Sequence, residues 1–405
     1  MAADPLPPSR PATDAGADTC SRPAPSRGTV AEVARVFFLL GAIGFGGPVA
    51  HVALMEREVV RARRWLPPDE FLDLLGLTNL IPGPNSSEMA MALGYRRAGW
   101  AGLLAGGLSF ILPAACLTAA LAWLYLRYGS LPAIQPWLSG LGPAVVALMV
   151  TAIARLARPA LRDVGLGVIA VTVLALRLLG VNELILLLGG GAAALVRPTL
   201  RAGSGALALA FVLATITVAA QALASGAAAR TVVEPTLADI GVFFARTGAV
   251  LYGGGYLLVA LLEPLVTRGW LTSTQLVDAV AAGQVTPGPV LTTATFIGYL
   301  LGGFAGAGIA TVAIFLPAFG FVAALGRIAP RLRGSPRAGR FLSGVNAAAV
   351  ALMAAVTVTL TRAALTDVRA GVIAAIALGA ASRGLNGGWI VAIGLAAGAL
   401  TVWMT

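Results

Sequence analysis

Lysine is absent from this chain; all 28 of its basic residues are arginine. Histidine occurs once, at His51, and cysteine twice, at Cys20 and Cys116. A lone imidazole cannot assemble a metal site. Two cysteines outside any Cys-x-x-Cys pair indicate neither a disulfide framework nor a thiol redox centre. No Gly-x-Gly-x-x-Gly nucleotide loop is present. These absences argue against an enzyme, and neither a catalytic residue nor a cofactor is expected. Charge is scarce as well. Only 11% of residues are charged and 58% are hydrophobic, against roughly 25% charged in a soluble domain. Several apolar runs approach the roughly 20 residues that cross a bilayer core. The fold class expected is therefore all-α, a polytopic membrane protein with the lipid bilayer as its partner. A net charge of +11 would point to nucleic acid in a soluble chain. Here the arginines sit in short loops between apolar runs, so they report topology, and nucleic acid is not a partner.

What the chain does have is repetition. Ile81-Pro82-Gly83-Pro84-Asn85 returns as Thr286-Pro287-Gly288-Pro289-Val290, 205 positions later. Trp65-Leu66 precedes the first motif as Trp270-Leu271 precedes the second. Gly46-Gly47 matches Gly253-Gly254, Gly94-Tyr95 matches Gly298-Tyr299, and Leu112-Pro113-Ala114 matches Leu316-Pro317-Ala318. The offset drifts only between 204 and 207, which defines one duplicated unit. The expected organisation is a disordered tail over 1–30, a first repeat over 31–200, a linker transmembrane helix within 201–235 and a second repeat over 236–405.

Each repeat reads alike. A short helix over 31–43 is about 20 Å long, too short to span. Gly44-Phe45-Gly46-Gly47-Pro48 breaks it, and a second short helix follows. Asp69 starts another, to Leu80; Pro82-Gly83-Pro84 stops it, and Asn85-Ser86-Ser87-Glu88 fits a capping box for the next. Four full spans are expected after that, over 99–126, 136–154, 164–179 and 181–196. The second repeat follows the same plan, and 203–226 is an extra apolar run between the two.

The arginines test the topology. Arg57 to Arg64 and Arg96-Arg97 flank the first Pro-Gly-Pro segment, and both want the cytoplasm. An even number of crossings must separate them, so 69–95 reads as a re-entrant hairpin, and 31–60 likewise. The extra helix then inserts the second half upside down. On that topology 21 arginines are cytoplasmic and six external, as the positive-inside rule requires.

Four helix breaks thus fall near mid-membrane, and paired breaks in two halves mark a transport site. The helices that follow present free N–H groups and positive dipole ends, which favour anions. The expected substrate-binding residues are Gly46, Gly47, Asn79, Pro82, Gly83, Pro84, Asn85, Ser86, Gly253, Gly254, Gln284, Pro287, Gly288, Pro289, Thr292 and Thr293. Arg246 joins them as the arginine placed inside an apolar segment, where a cation is costly and should face a cavity. The bland alternatives are that Pro and Gly merely kink spanning helices and that Arg246 snorkels to the interface. Glu88, Glu263 and His51 are candidates for proton or ion coupling, although Glu88 is equally suited to its capping role.

The segments Phe45-Gly46-Gly47-Pro48-Val49-Ala50-His51, Leu80-Ile81-Pro82-Gly83-Pro84-Asn85 and Gly283-Gln284-Val285-Thr286-Pro287-Gly288-Pro289 resemble the chromate ion transporter family in its long, two-domain form. The resemblance covers about 31–404. It implies export of chromate from the cytoplasm across the inner (plasma) membrane, with resistance to chromate as the result and sulfate as the structural analogue. A second copy of the chain is admitted as a partner. Members often carry a basic residue just before the Gly that precedes the Gly-Gly break; Arg246 roughly fits that place, and Leu40 stands there in the first half. Uptake or exchange of sulfate or a related oxyanion is the competing reading.

Overall fold

The computed structural model describes residues 28–196, 234–252, 257–332 and 335–400. The expected linker helix over 203–226, the tail before residue 28, and Gly253 and Gly254 lie outside the described residues. In the first half the helices are α1 (Val30–Ile43), α2 (Gly47–Met55, continued by a π-helical turn Glu56–Ala62), α3 (Pro68–Thr78) and α4 (Asn85–Tyr128). The half ends with α5 (Gln135–Ser139), α6 (Leu141–Ala160), α7 (Val164–Leu178) and α8 (Glu183–Val196). In the second half they are α9 (Leu237–Val250), α10 (Leu257–Thr267), α11 (Ser273–Val285) and α12 (Thr293–Leu332, entered through a 3-10 turn Val290–Thr292). That half ends with α13 (Pro336–Ala364), α14 (Val368–Ser382) and α15 (Gly387–Leu400). No strand occurs among the described residues.

Both chain reversals of the first half are present as geometry. Glu70 opens α3 and Arg96 lies late in the first arm of α4, and the two form an ion pair. A continuous helix would hold them about 39 Å apart, so the chain turns back at Pro82-Gly83-Pro84. Glu32, in the first turn of α1, accepts hydrogen bonds from Trp65 Nε1 at 3.0 Å and from Arg97 at 3.1 Å. The chain from α1 through the π-helical turn therefore also returns to its starting level. α4 itself is two helices. Ala98 and Gly99 leave helical geometry, and a Cβ built on Gly94 would lie 2.2 Å from the Gly102 carbonyl oxygen. The arms reverse there and pack backbone to backbone. Gly302-Gly303 repeats this turn in α12, where Gly298 meets Gly306.

Among the described residues, four helical stretches are long and apolar enough to cross a membrane, Asn85–Tyr128, Gln135–Ala160, Val290–Leu325 and Pro336–Ala364, the first and third of them including the reversals just described. The expectation of four full spans in each half is corrected here. α7 and its repeat equivalent α14 have 15 residues each, about 22 Å, against a hydrocarbon core of about 30 Å. The described parts of α8 and α15 have 14 residues each.

The halves interlock. Arg162, just past the end of α6, donates to Ser343 near the start of α13 at 3.2 Å. At the other end of the pair, a Cβ on Gly142 would lie 2.9 Å from the Ala364 Cβ. α6 and α13 are repeat equivalents, and they run antiparallel side by side. Their neighbours are exchanged as well. Gly190 of α8 packs on Gly344 of α13, and the equivalent Gly394 of α15 packs on Gly140 before α6. The result is a frame of α5–α8 with α13–α15, and a second body of α1–α4 with α9–α12. The bodies are joined mainly by α10 and α11, which dock on α13, α6 and α15. Their first-half equivalents α2 and α3 pack chiefly within their own body. Val49 and Leu72 there are 84% and 61% exposed, whereas Leu257 to Leu262 are buried.

The glycine contacts make a stability prediction. Gly344→Ala places a methyl 2.2 Å from the Gly190 carbonyl oxygen, and overpacking of this kind costs about 1–3 kcal/mol. Gly167, inside α7, has open space at the same position, and Gly167→Ala should gain up to about 1 kcal/mol of helix propensity. Thermal unfolding of the detergent-purified protein should therefore move in opposite directions for the two variants.

Candidate functional site

The breaks define the site. Gly46 is the N-cap of α2 at φ 108°, and no side chain caps the helix. Gly47 follows at φ 79°. Both lie in the left-handed region that glycine alone enters without strain, and Pro48 suits the first turn that follows. The uncapped end of α2 faces a small cleft. Gly46, Gly47 and Pro48 form one wall, Gln284, Thr286 and Gly288 the other, with Gly387 beside them. The cleft thus unites the Gly-Gly break of one half with the Pro-Gly-Pro break of the other. The Gln284 amide reaches in because position 387 is glycine: a Cβ there would lie 2.8 Å from Gln284 Oε1. Among the described residues, no charged side chain lines the cleft. Its volume is about 20 Å³, room for one water.

Two backbone hydrogen bonds cross between the halves at this level. Gly83 N–H donates to the Leu251 carbonyl, and Gly288 N–H donates to the Gly44 carbonyl, each at 2.7 Å. Gly83 corresponds to Gly288, and Gly44 to Leu251, so the pair is reciprocal. The two glycine N–H groups are therefore engaged between the halves. His51 joins the second of them: its Nε2 lies 2.9 Å from the Gly44 oxygen. A carbonyl only accepts, so Nε2 carries the hydrogen. The ring also packs edge-on against Phe110 at 5.4 Å. His51 thus supports the break rather than lining the cleft.

The first-half donors are used locally. Asn85 Nδ2 donates to Asn79 Oδ1 at 2.5 Å, and Asn85 Oδ1 accepts from Thr78 at 3.0 Å. The expected capping box of Asn85 and Glu88 does not form. Pro84 is the N-cap, without a side-chain bond, because Asn85 is drawn to Asn79 across the break. Ser86 and Ser87 are buried. Glu88 is fully buried, and neither carboxyl oxygen has a hydrogen-bond partner among the described residues. It lies under Gly83, where a Cβ would come within 2.1 Å of Glu88 Oε1. Pro82 and Pro84 flank that glycine, as Pro287 and Pro289 flank Gly288. Thr292 and Thr293 donate back to the carbonyls of Pro289 and Val290, at 3.0 and 2.8 Å, so their hydroxyl hydrogens close their own turn.

Two charged residues do not come to the cleft. Arg246 lies on the exposed face of α9, opposite Phe243, Phe244 and Thr247. The expectation that it faces a cavity assumed an apolar segment buried all round, and α9 is buried on one side only. Glu263 pairs with Arg177 of α7. Two residues escaped the sequence reading. Gly387 enters from α15, more than a hundred residues away from its neighbour Gln284. Asp278 is buried at 5% exposure and accepts from Tyr125 at 2.8 Å, tying α11 to α4. Its signal was available: Asp73 stands at the equivalent place 205 positions earlier.

The comparisons with known proteins agree with this architecture. The chain matches the family model described as chromate transporter over residues 31–195 and again over 238–401. It is 32% identical to the chromate transport protein of Cupriavidus metallidurans, covering 86% of each chain. It is 35% identical to that of Pseudomonas aeruginosa, over 80% of this chain and 79% of the relative. A probable chromate transport protein of Synechococcus elongatus is 33% identical, over 86% of this chain and 88% of the relative. No solved structure matches. With both of its halves matched, its helices apolar and its relatives transport proteins, the chain belongs to the chromate transporter family and is a multi-pass membrane protein, not an enzyme.

Proposed function

We propose that this chain exports chromate from the cytoplasm across the inner membrane and so confers chromate resistance. The observation that carries the reading is the cleft. An uncapped helix end and the Gln284 amide converge there, with no carboxylate among the described lining residues; the Thr286 hydroxyl donates to the Gly283 carbonyl at 3.2 Å and closes its own turn. Neutral donors and a dipole end suit a tetrahedral dianion and hold it loosely enough to let it go. Membrane potential sets the favoured direction. An inside-negative 100 mV is worth about 2.3 kcal/mol per charge, hence about 4.6 for a dianion leaving the cell. Sulfate has the same shape and charge, so it is the natural competitor.

The second part of the reading is inversion. The halves over 31–200 and 236–405, joined by a linker helix within 201–235, insert in opposite senses. The antiparallel course of α6 and α13 and the reciprocal bonds at the breaks support this, as does the arginine bias. Both hairpins of each half then re-enter from one side. The docked α10–α11 hairpin and the free α2–α3 hairpin are two positions of one device, exchanged as the substrate crosses.

Radiolabelled chromate should accumulate in everted vesicles and not in right-side-out ones; the reverse pattern overturns export. Gln284→Glu keeps the shape of the cleft and places a negative charge in it, and should abolish uptake into everted vesicles. Gln284→Ala loses one charge-assisted bond, about 1.5–3 kcal/mol, and should weaken affinity by roughly ten- to a hundredfold. Arg246→Gln should leave affinity unchanged, since the side chain lies outside the cleft.

Topology has its own test. In a chain with Cys20 and Cys116 replaced by serine, Arg63→Cys and Arg268→Cys should react with an impermeant thiol reagent from opposite faces; reaction from one face excludes inversion. Coupling is tested at Glu88. A partnerless buried carboxyl is costly to hold ionised, and carrying a proton resolves that cost. An imposed proton gradient should therefore accelerate the wild type and leave Glu88→Gln unaffected.

A further inference from the structure

A second pocket lies where α6 ends. It has a volume of about 240 Å³, equal to roughly eight waters at about 30 Å³ each, while the cleft at α2 admits one. Arg162, Tyr252, Ser343 and Asn346 supply its polar groups, and Leu156, Val350 and Met353 are among its apolar ones. Among the described residues lining it, Arg162 is the charged one and none is acidic. The guanidinium is oriented by Ser343 at 3.2 Å. Arginine carries five donors, and this bond uses one of them, so most of the fork remains for a ligand. Leu257 of α10 lines the same pocket.

The polar groups are not demanded by packing. Ser343, Asn346, Val350 and Met353 recur on one face of α13 at helical spacing, polar toward the chain's basic loop and apolar deeper in. An arginine after α6 is at home beside a helix C-terminus, but that does not explain an amide and a hydroxyl on the facing helix. The duplicated half supplies the control. At the equivalent positions stand Ser139, Gly142, Thr366 and Phe45: no guanidinium and no amide. There the ends of the two helices close on each other, with Gly142 against Ala364. The antiparallel pair is thus shut at one end and open at the other, and the described pocket with its Arg162 guanidinium lies at the open end. The basic segment Arg155 to Arg162 places that end on the cytoplasmic face.

We propose that the pocket formed by Arg162, Tyr252, Ser343 and Asn346 is a second oxyanion-binding site, which loads a tetrahedral dianion from the cytoplasm before the cleft opens to it. The assignment of the ligand rests on the reading of the chain as an oxyanion transporter. The site accounts for one-sided capture: a dianion is drawn by Arg162 and desolvated against neutral donors beside the second break, while the cleft stays too narrow to leak.

Two measurements test it. In everted vesicles, Arg162→Gln and Asn346→Leu should each raise the KM for chromate at least tenfold while the rate at saturation stays within about twofold. Arg162→Lys should recover part of the loss. An unchanged KM in both variants, or a loss of maximal rate with KM unchanged, overturns the loading site. The second measurement needs no flux. In a background with Cys20 and Cys116 replaced by serine, labelling of Asn346→Cys by a maleimide should be slowed at least threefold by sulfate, used because chromate oxidises thiols, and not by chloride at matched ionic strength. Failure of sulfate to protect excludes the site. Protection without any chromate flux in the parent protein would keep the site and sink the export reading instead.

Discussion

Two hydrogen bonds, one from each Pro-Gly-Pro glycine to the opposite half, are what the rest of this structure depends on. At membrane depth there is no water to satisfy a broken backbone, and each unmet group costs several kcal/mol. The flanking prolines have no N–H, and the glycine between them has left helical geometry, so its N–H cannot be met within its own helix. Gly83 finds Leu251 and Gly288 finds Gly44, each at 2.7 Å. A single half could break its helix but could not satisfy the break. Two halves in reciprocal arrangement satisfy both, which gives the duplication a physical reason.

The same constraint sorts residues that look alike in sequence. The amide groups of the two Pro-Gly-Pro segments, Asn79 and Gln284, occupy equivalent places. Asn79 is bonded to Asn85, because the residue after the first Pro-Gly-Pro is itself an amide. In the second half Val290 stands there, so Gln284 has no such partner and turns to the cleft. One substitution between repeats thus decides which of two equivalent breaks offers a donor. His51 has no counterpart either: the position equivalent to it in α10 is Leu258, and only the Gly44 carbonyl receives an imidazole.

Much of the plan was legible because it was written twice. The helix breaks and the chain reversal between Glu70 and Arg96 follow from Gly, Pro and arginine positions compared between halves. What was not legible is facing. In a chain where nearly every helix is apolar all round, the pattern of one helix says little about which side meets protein. Arg246 was therefore placed in a cavity when α9 buries only the side carrying Phe243 and Phe244. Glu263 was left without the partner that Arg177 supplies from α7. The bounds of α7 were legible, 164–179 against Val164–Leu178, because Asp163 caps its start and Gly180, at φ 87°, ends it; what was overread is its reach, since 15 residues rise only about 22 Å.

Symmetry of sequence with asymmetry of structure is itself the argument for motion. Equivalent hairpins contain similar lengths of helix and the same breaks, yet α10–α11 is buried against the frame and α2–α3 is only partly buried. If docking were fixed by sequence alone, Gly-rich, apolar hairpins of the same design should dock alike. Exchange of their positions by the pseudo-twofold would give a second arrangement built from equivalent contacts, and two states of similar make differ by only a few kcal/mol. A ligand shifts such a balance by the difference between its affinities for the two states, not by the affinity itself. On the reading proposed above, a cleft with room for one water in this arrangement would take a dianion only in the other, and the dianion would then favour the exchange. The differences between the repeats, at Gln284, His51 and Arg162, are where that reading puts the distinction between loading and release.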